Sequence, residues 1–120
     1  MGVVYIDVSV GHPSGGDLTP VQNVLVDTGA ANTMLPESLL TRLHIEPLEY
    51  DQWEFADGSV HELGFAMARI SIDERTFHCP VIIGPEDQYL VGATTLEAFR
   101  LMVDPVGQVL VPRTFRSRSI

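Results

Sequence analysis

The residues with the clearest chemical meaning are Asp27-Thr28-Gly29, placed directly after the apolar run Val24-Leu25-Val26. An acid at the end of a buried strand is costly unless something needs it there. Thr28 and Gly29 add a small hydroxyl and a residue without a side chain, which permit a tight turn and close approach of backbone. A carboxylate delivered this way suits acid–base activation of water. The plainer reading is an aspartate that caps its own turn through its side chain.

Other titratable residues make weaker candidates. His12, His44, His61 and His78 do not lie at the close intervals that metal ligands use, so no metal and no cofactor are expected. Cys79 is the single cysteine and sits between His78 and Pro80 in an extended stretch. Neighbours on a strand point to opposite faces, which disfavours a Cys–His dyad and leaves Cys79 as a small core residue. Asp57 falls at a predicted hairpin tip and Asp104 before Pro105 in another turn. Neither is placed to meet Asp27 within one chain.

The elements that must position Asp27 are short and extended. Val4, Ile6, Val8 and Val10 alternate with Tyr5, Asp7 and Ser9, the pattern of a half-buried strand. His12 to Asp17 reads as a loop, and Val21 to Val26 as the strand that runs into Asp27. Asn32 to Leu35 reads as a brief extended piece, after which Pro36 opens a helix with Leu39, Leu40 and Leu43 on its apolar face. Glu49 to Phe55 and Ser59 to Ile72 are two arms of a hairpin tipped by Ala56-Asp57-Gly58. Thr76 to Ile83 returns, and Gln88 to Val91 is extended. Thr95 to Phe99 is a helical turn or two, and Leu101 to Val103 pairs with Gln108 to Val111. Many short strands, frequent turns and one or two short helices predict an all-β class. A strand–glycine–helix order occurs twice, at Leu25-Val26 with Gly29-Ala30 and at Leu90-Val91 with Gly92-Ala93. So short an echo supports internal pseudo-symmetry only weakly.

The length of 120 residues fits one domain, 1–120. Hydrophobic residues make up 45% of the chain, enough for a packed core. A net charge of −9 argues against direct nucleic-acid binding, which needs basic clusters. Arg113, Arg116 and Arg118 read as a solvated tail. No apolar run reaches the length of a membrane span, and Met1 to Tyr5 lacks the pattern of a signal peptide. Ile6 stands where a myristoylation motif wants Ser or Thr. With a single cysteine, no internal disulfide is possible, and a cytoplasmic protein is expected.

Leu25-Val26-Asp27-Thr28-Gly29-Ala30, Phe55-Ala56-Asp57-Gly58 and Tyr89-Leu90-Val91-Gly92 come in an order that is more specific than any of them alone. With Thr94 to Phe99 and Val103-Asp104-Pro105 at the end, the chain resembles the retroviral-type (retropepsin-like) aspartic proteases, in particular their small bacterial single-domain members. The resemblance implies a small closed β-barrel-like acid protease fold of one lobe. It implies an active-site loop at Asp27, a flap tipped by Ala56, Asp57 and Gly58, and a floor strand at Leu90-Val91 that threads beside the active-site loop. Two carboxylates would face each other and share one proton, since like charges a few ångström apart cannot both ionise. With one Asp-Thr-Gly per chain, the second must come from another copy, so the resemblance implies a homodimer acting as an endopeptidase on peptide or protein.

The resemblance also assigns roles. Asp27 would be the catalytic acid, the Thr28 hydroxyl would cross to the partner loop, and Gly29 would leave room for substrate. Ala30, Asn32, Ala56, Asp57, Gly58, Leu90 and Val91 would contact substrate, with Trp53 a further candidate for a pocket wall. Ala30 stands where two-lobed relatives carry Ser or Thr, which implies a pH optimum nearer neutrality. Ala31 and Asn32 replace acidic residues usual in retroviral members, and the flap has a single glycine where viral flaps have several, implying a stiffer flap. The rival expectation is a dimeric peptide-binding module of the same fold that cleaves little or nothing.

Overall fold

A computed structural model describes residues 3–113. Its first hairpin joins β1 (Tyr5–Gly11) to β2 (Thr19–Val26), in antiparallel register from Tyr5↔Leu25 to Val10↔Thr19. The alternation expected from the sequence is present: Val4, Val8 and Val10 are buried while Tyr5 and Asp7 are exposed. The register slips between Ile6 and Val8, a bulge. There the Asp7 carboxylate accepts the backbone N–H of Asn23, which has a positive φ of 59°.

β3 (Thr33–Pro36) leads directly into α1 (Glu37–Arg42). Pro36 caps it in an extended conformation, and Leu39 and Leu40 are its buried face. β4 (Glu49–Glu54) and β5 (Val60–Ile72) form the long hairpin, and β6 (Arg75–Gly84) pairs back along β5 from Ile72↔Arg75 to Gly64↔Ile83. Asp73 and Glu74, both at positive φ, make the two-residue turn between them. β7 (Leu90–Val91), α2 (Ala93–Phe99) and the separate hairpin of β8 (Leu101–Asp104) and β9 (Val109–Pro112) complete the described residues.

The main sheet runs β1-β2-β7-β3-β6-β5-β4, and β1 also pairs with β5, from Ser9↔Ser71 to Gly11↔Arg69, which closes the sheet into a ring. The all-β expectation therefore holds, with two short helices attached. Inside the ring lie Val10, Val24, Leu35, Ala66, Ala68, Ile70, Val81 and Val91. Small alanines on β5 let the neighbouring strands close over the interior. α2 seals one side: Phe99 packs edge-on against Phe77, with ring centroids 4.8 Å apart, and Arg75 donates to the Phe99 carbonyl. Cys79 is buried as expected, and burial pushes its thiol up from its ordinary value, so it stays protonated and unreactive.

α2 starts at Ala93 rather than at Thr95. The reason is tertiary: the first N–H groups of the helix, at Ala93 and Thr94, donate to the carbonyls of Ala30 and Ala31. Among the described residues no helix is long and apolar enough to cross a membrane. At the C-terminal end, the exposed Arg113 donates its backbone N–H to Arg100, while Arg116 and Arg118 lie outside the described residues.

Candidate active site

Asp27 is the first residue beyond β2, and its half-buried position is set by the strand next door. β2 and β7 run parallel with Leu25 opposite Leu90 and Val26 opposite Val91. The Asp27 N–H donates to the Val91 carbonyl at 2.9 Å, extending that ladder by one step. The chain then turns, with Ala30 N–H donating to the Asp27 carbonyl at 3.2 Å. The Asp27 carboxylate accepts the backbone N–H of Gly29 at 3.0 Å through Oδ1. One oxygen is thus used to orient the side chain, and the turn-capping reading and the chemical reading are satisfied by the same geometry.

The loop that follows is clamped from below. Gly92 packs so closely on residues 30–32 that a Cβ there would lie 2.5 Å from the Asn32 carbonyl carbon and oxygen and 2.9 Å from the Ala30 oxygen. Gly92 N–H donates to Thr33 Oγ1 at 3.1 Å, and Thr33 Oγ1 shares a 2.6 Å hydrogen bond with Thr95 Oγ1. Both threonines are fully buried. This pair ties β3, β7 and α2 together directly beneath the Asp27 turn. Nothing local in the sequence announces it, because the two residues are 62 positions apart.

Above the turn is an open cavity of about 620 Å³ lined by Asp27, Gly29, Ala30, Met34, Glu54, Phe55, Ala56, Gln88 and Leu90. Of the residues expected at the site, the structure brings Asp27, Gly29, Ala30, Ala56 and Leu90 to this space. Thr28 is exposed at the apex of the turn. Val91, expected to face substrate, instead turns into the core at 1% exposure, because strand alternation gives the cavity side to Leu90. Asn32, Asp57, Gly58 and Trp53 do not line the cavity. Trp53 lies on the opposite face of β4 from Glu54, half-buried, with its indole Nε1 buried and unpartnered among the described residues.

Met34, Glu54 and Gln88 line the cavity without having been singled out in the sequence. Met34 had a readable signal, since Thr33 and Leu35 are buried on β3 and alternation turns Met34 the other way. For Gln88 there was none.

The hairpin over the cavity turns at Phe55-Ala56-Asp57-Gly58, with Gly58 N–H donating to the Phe55 carbonyl and Gly58 at a φ of +86°. Asp57 is committed to that turn. Its Oδ1 accepts the hydroxyl of Ser59 at 2.6 Å and the Ser59 N–H at 2.9 Å, which holds the carboxyl below its ordinary value. Asp104 is likewise occupied, accepting the Val106 N–H at 3.0 Å. Among the described residues no cluster of His, Cys, Asp or Glu could hold a metal ion. His12 and His61 make local contacts, to Ser14 and Ser59, while the His78 ring reaches the Pro13 carbonyl 65 positions away.

A parallel pair of strands, an oriented carboxylate at the end of one of them and a hairpin folded over the resulting cavity are the frame an acid protease lobe requires. A family model described as "gag-polyprotein putative aspartyl protease" matches residues 19–98, from the first residue of β2 to within α2. No curated protein matches the chain. The matched stretch holds the Asp27 turn, the flap hairpin and the Leu90–Val91 floor, and the chain belongs to the retropepsin-like aspartyl protease family.

Proposed function

We propose that this chain is one subunit of a homodimeric aspartic endopeptidase in which Asp27 and Asp27 of the partner subunit flank one water. Membership of the family supports a protease-type function. The observation that carries the finer reading is Asp27 itself, held by the Gly29 N–H at the foot of an open cavity. Asp57 and Asp104 are bound up in their own turns, which supports a second chain as the source of the paired acid. The exposed Thr28 hydroxyl is available to the partner loop.

The pair would hold one proton between them. The ionised carboxylate takes a proton from the water as its oxygen attacks the scissile carbonyl carbon. The other carboxyl donates its proton to the carbonyl oxygen, giving a neutral diol. As the C–N bond breaks, the pair's proton goes to the amine nitrogen and one diol hydroxyl gives its proton back to the pair, so that a carboxylic acid and an amine leave and the pair again holds one proton. Substrate would lie as an extended strand between the flap and the Leu90 floor. A peptide-binding module without chemistry is the rival. A cytoplasmic setting completes the proposal, supported by the absence of any partner with which Cys79 could form an internal disulfide.

The deciding experiment incubates an unstructured protein with wild type and with Asp27→Asn. Cleavage by the first alone supports the peptidase. Tight peptide binding by both without products supports the module.

A further inference from the structure

The cavity above Asp27 has a composition that the catalytic reading does not use. Its walls are apolar at Met34, Phe55, Ala56 and Leu90, and its ionisable groups are Asp27 and Glu54. Among the described residues no Lys, Arg or His lines it. Glu54 is the last residue of β4 and exposed, and its carboxylate has no hydrogen-bond or ion-pair partner among the described residues. It pairs across the hairpin with Val60, so the strand face it shares with Gln52 also carries Glu62, which stands opposite Gln52. Glu62, Glu37 and Glu86 line a second cavity of about 360 Å³ at the base of the same hairpin, and among the described residues no cation lines that one either. Both cavities along the hairpin thus carry acidic groups, on a chain whose net charge is already −9.

We propose that Glu54 is a specificity residue that selects substrates with a Lys or Arg side chain close to the scissile bond. This rests on the peptidase reading above and deepens it. A basic side chain fits both halves of the cavity. Its aliphatic stem lies along Met34 and Leu90, and its charged head reaches the Glu54 carboxylate on the flap arm. A neutral side chain of similar length would leave Glu54 without a partner as the flap closes and water leaves, and an acidic one would meet like charge. Because Glu54 is carried by the flap, the pairing also favours the closed flap when the right substrate is bound.

The experiment has two arms, so that failure of this inference and failure of the peptidase reading are told apart. In the first, wild type digests an unfolded protein, and cut sites are mapped by mass spectrometry. Synthetic peptides that differ only by Lys, Gln or Glu at the enriched position then give ratios of kcat/KM. In the second arm, the Asp27→Asn protein binds the same peptides, without turnover, in a fluorescence anisotropy titration. Lys is expected to exceed Gln by about tenfold in both arms, with the ratio falling as salt rises. In Glu54→Gln the Lys-to-Gln ratio should fall towards one, and Glu54→Lys should turn the preference towards Glu. A thermal melt checks that both variants fold. Equal handling of Lys and Gln peptides by the unmodified Glu54 protein overturns the inference, as does a Lys preference that survives Glu54→Gln. If no peptide is cut at all, the peptidase reading fails, and the anisotropy arm still decides whether Glu54 reads a basic side chain.

Discussion

The two strand–glycine segments differ in what their glycines are for. Leu25-Val26 and Leu90-Val91 lie side by side in parallel register, so the echo seen in the sequence is a real pairing in space. At Gly92 the missing side chain is filled by the backbone of Asn32 and Ala30. At Gly29 a Cβ would meet, among the described residues, the Asp27 carboxylate alone, at an ordinary 3.4 Å, and its φ is not in the left-handed region. One glycine is demanded by the fold of the chain. The other leaves space that this chain does not fill, as a position that faces substrate or partner should.

That contrast orders the expected effects. Gly92→Ala is the most damaging: the floor strand must move off the active-site loop, and a loss of more than about 3 kcal/mol is expected, read as a collapsed or absent urea transition. Thr33→Val comes next. It removes the acceptor for the Gly92 N–H and the buried partner of Thr95, costing about 1–3 kcal/mol, and Thr33→Ser should restore most of it. Gly29→Ala should leave the melting temperature nearly unchanged yet lower kcat/KM about tenfold, through displaced substrate. A Gly29→Ala protein as unstable as Gly92→Ala would erase the distinction between the two glycines.

The smallest effect separates two aspartates with similar local geometry. Asp27 and Asp57 each accept an N–H from two residues on, at Gly29 and at Ser59. Only Asp57 also binds a hydroxyl, and its carboxyl is held below the ordinary 3.8. A lowered value stabilises the turn above the unfolded pKa, and that contribution is lost as pH falls through the folded value. Amide exchange at Gly58 and Ser59 should therefore quicken below about pH 4 in wild type, relative to Asp57→Asn, which has no carboxyl to protonate. Equal pH response in both would detach Asp57 from the flap turn.

Most of this was legible along the chain because it depends on local pattern. Alternation in Val4 to Val10 and in residues 65–72, the glycine turn at Gly58, and the apolar run into Asp27 each follow from the neighbours in sequence. What was not legible is what the ring closure brings together. The side of β7 that meets the cavity is decided by pairing with β2, so Leu90 and Val91 could not be separated in advance. The Thr33–Thr95 bond and the early start of α2 depend on contacts across some 60 residues. Glu54 looked like any charged residue on an exposed arm until the hairpin folded over Asp27.

The claim on which the mechanism depends is that each active site needs Asp27 from two chains. It is tested most directly by adding Asp27→Asn protein to a fixed concentration of wild type under conditions where subunits exchange. Random pairing predicts that activity falls to about one half at equal amounts and to about one tenth at a ninefold excess. Activity that does not respond to the excess would contradict the account and return both acids to a single chain, with Glu54 the acid already on the same cavity.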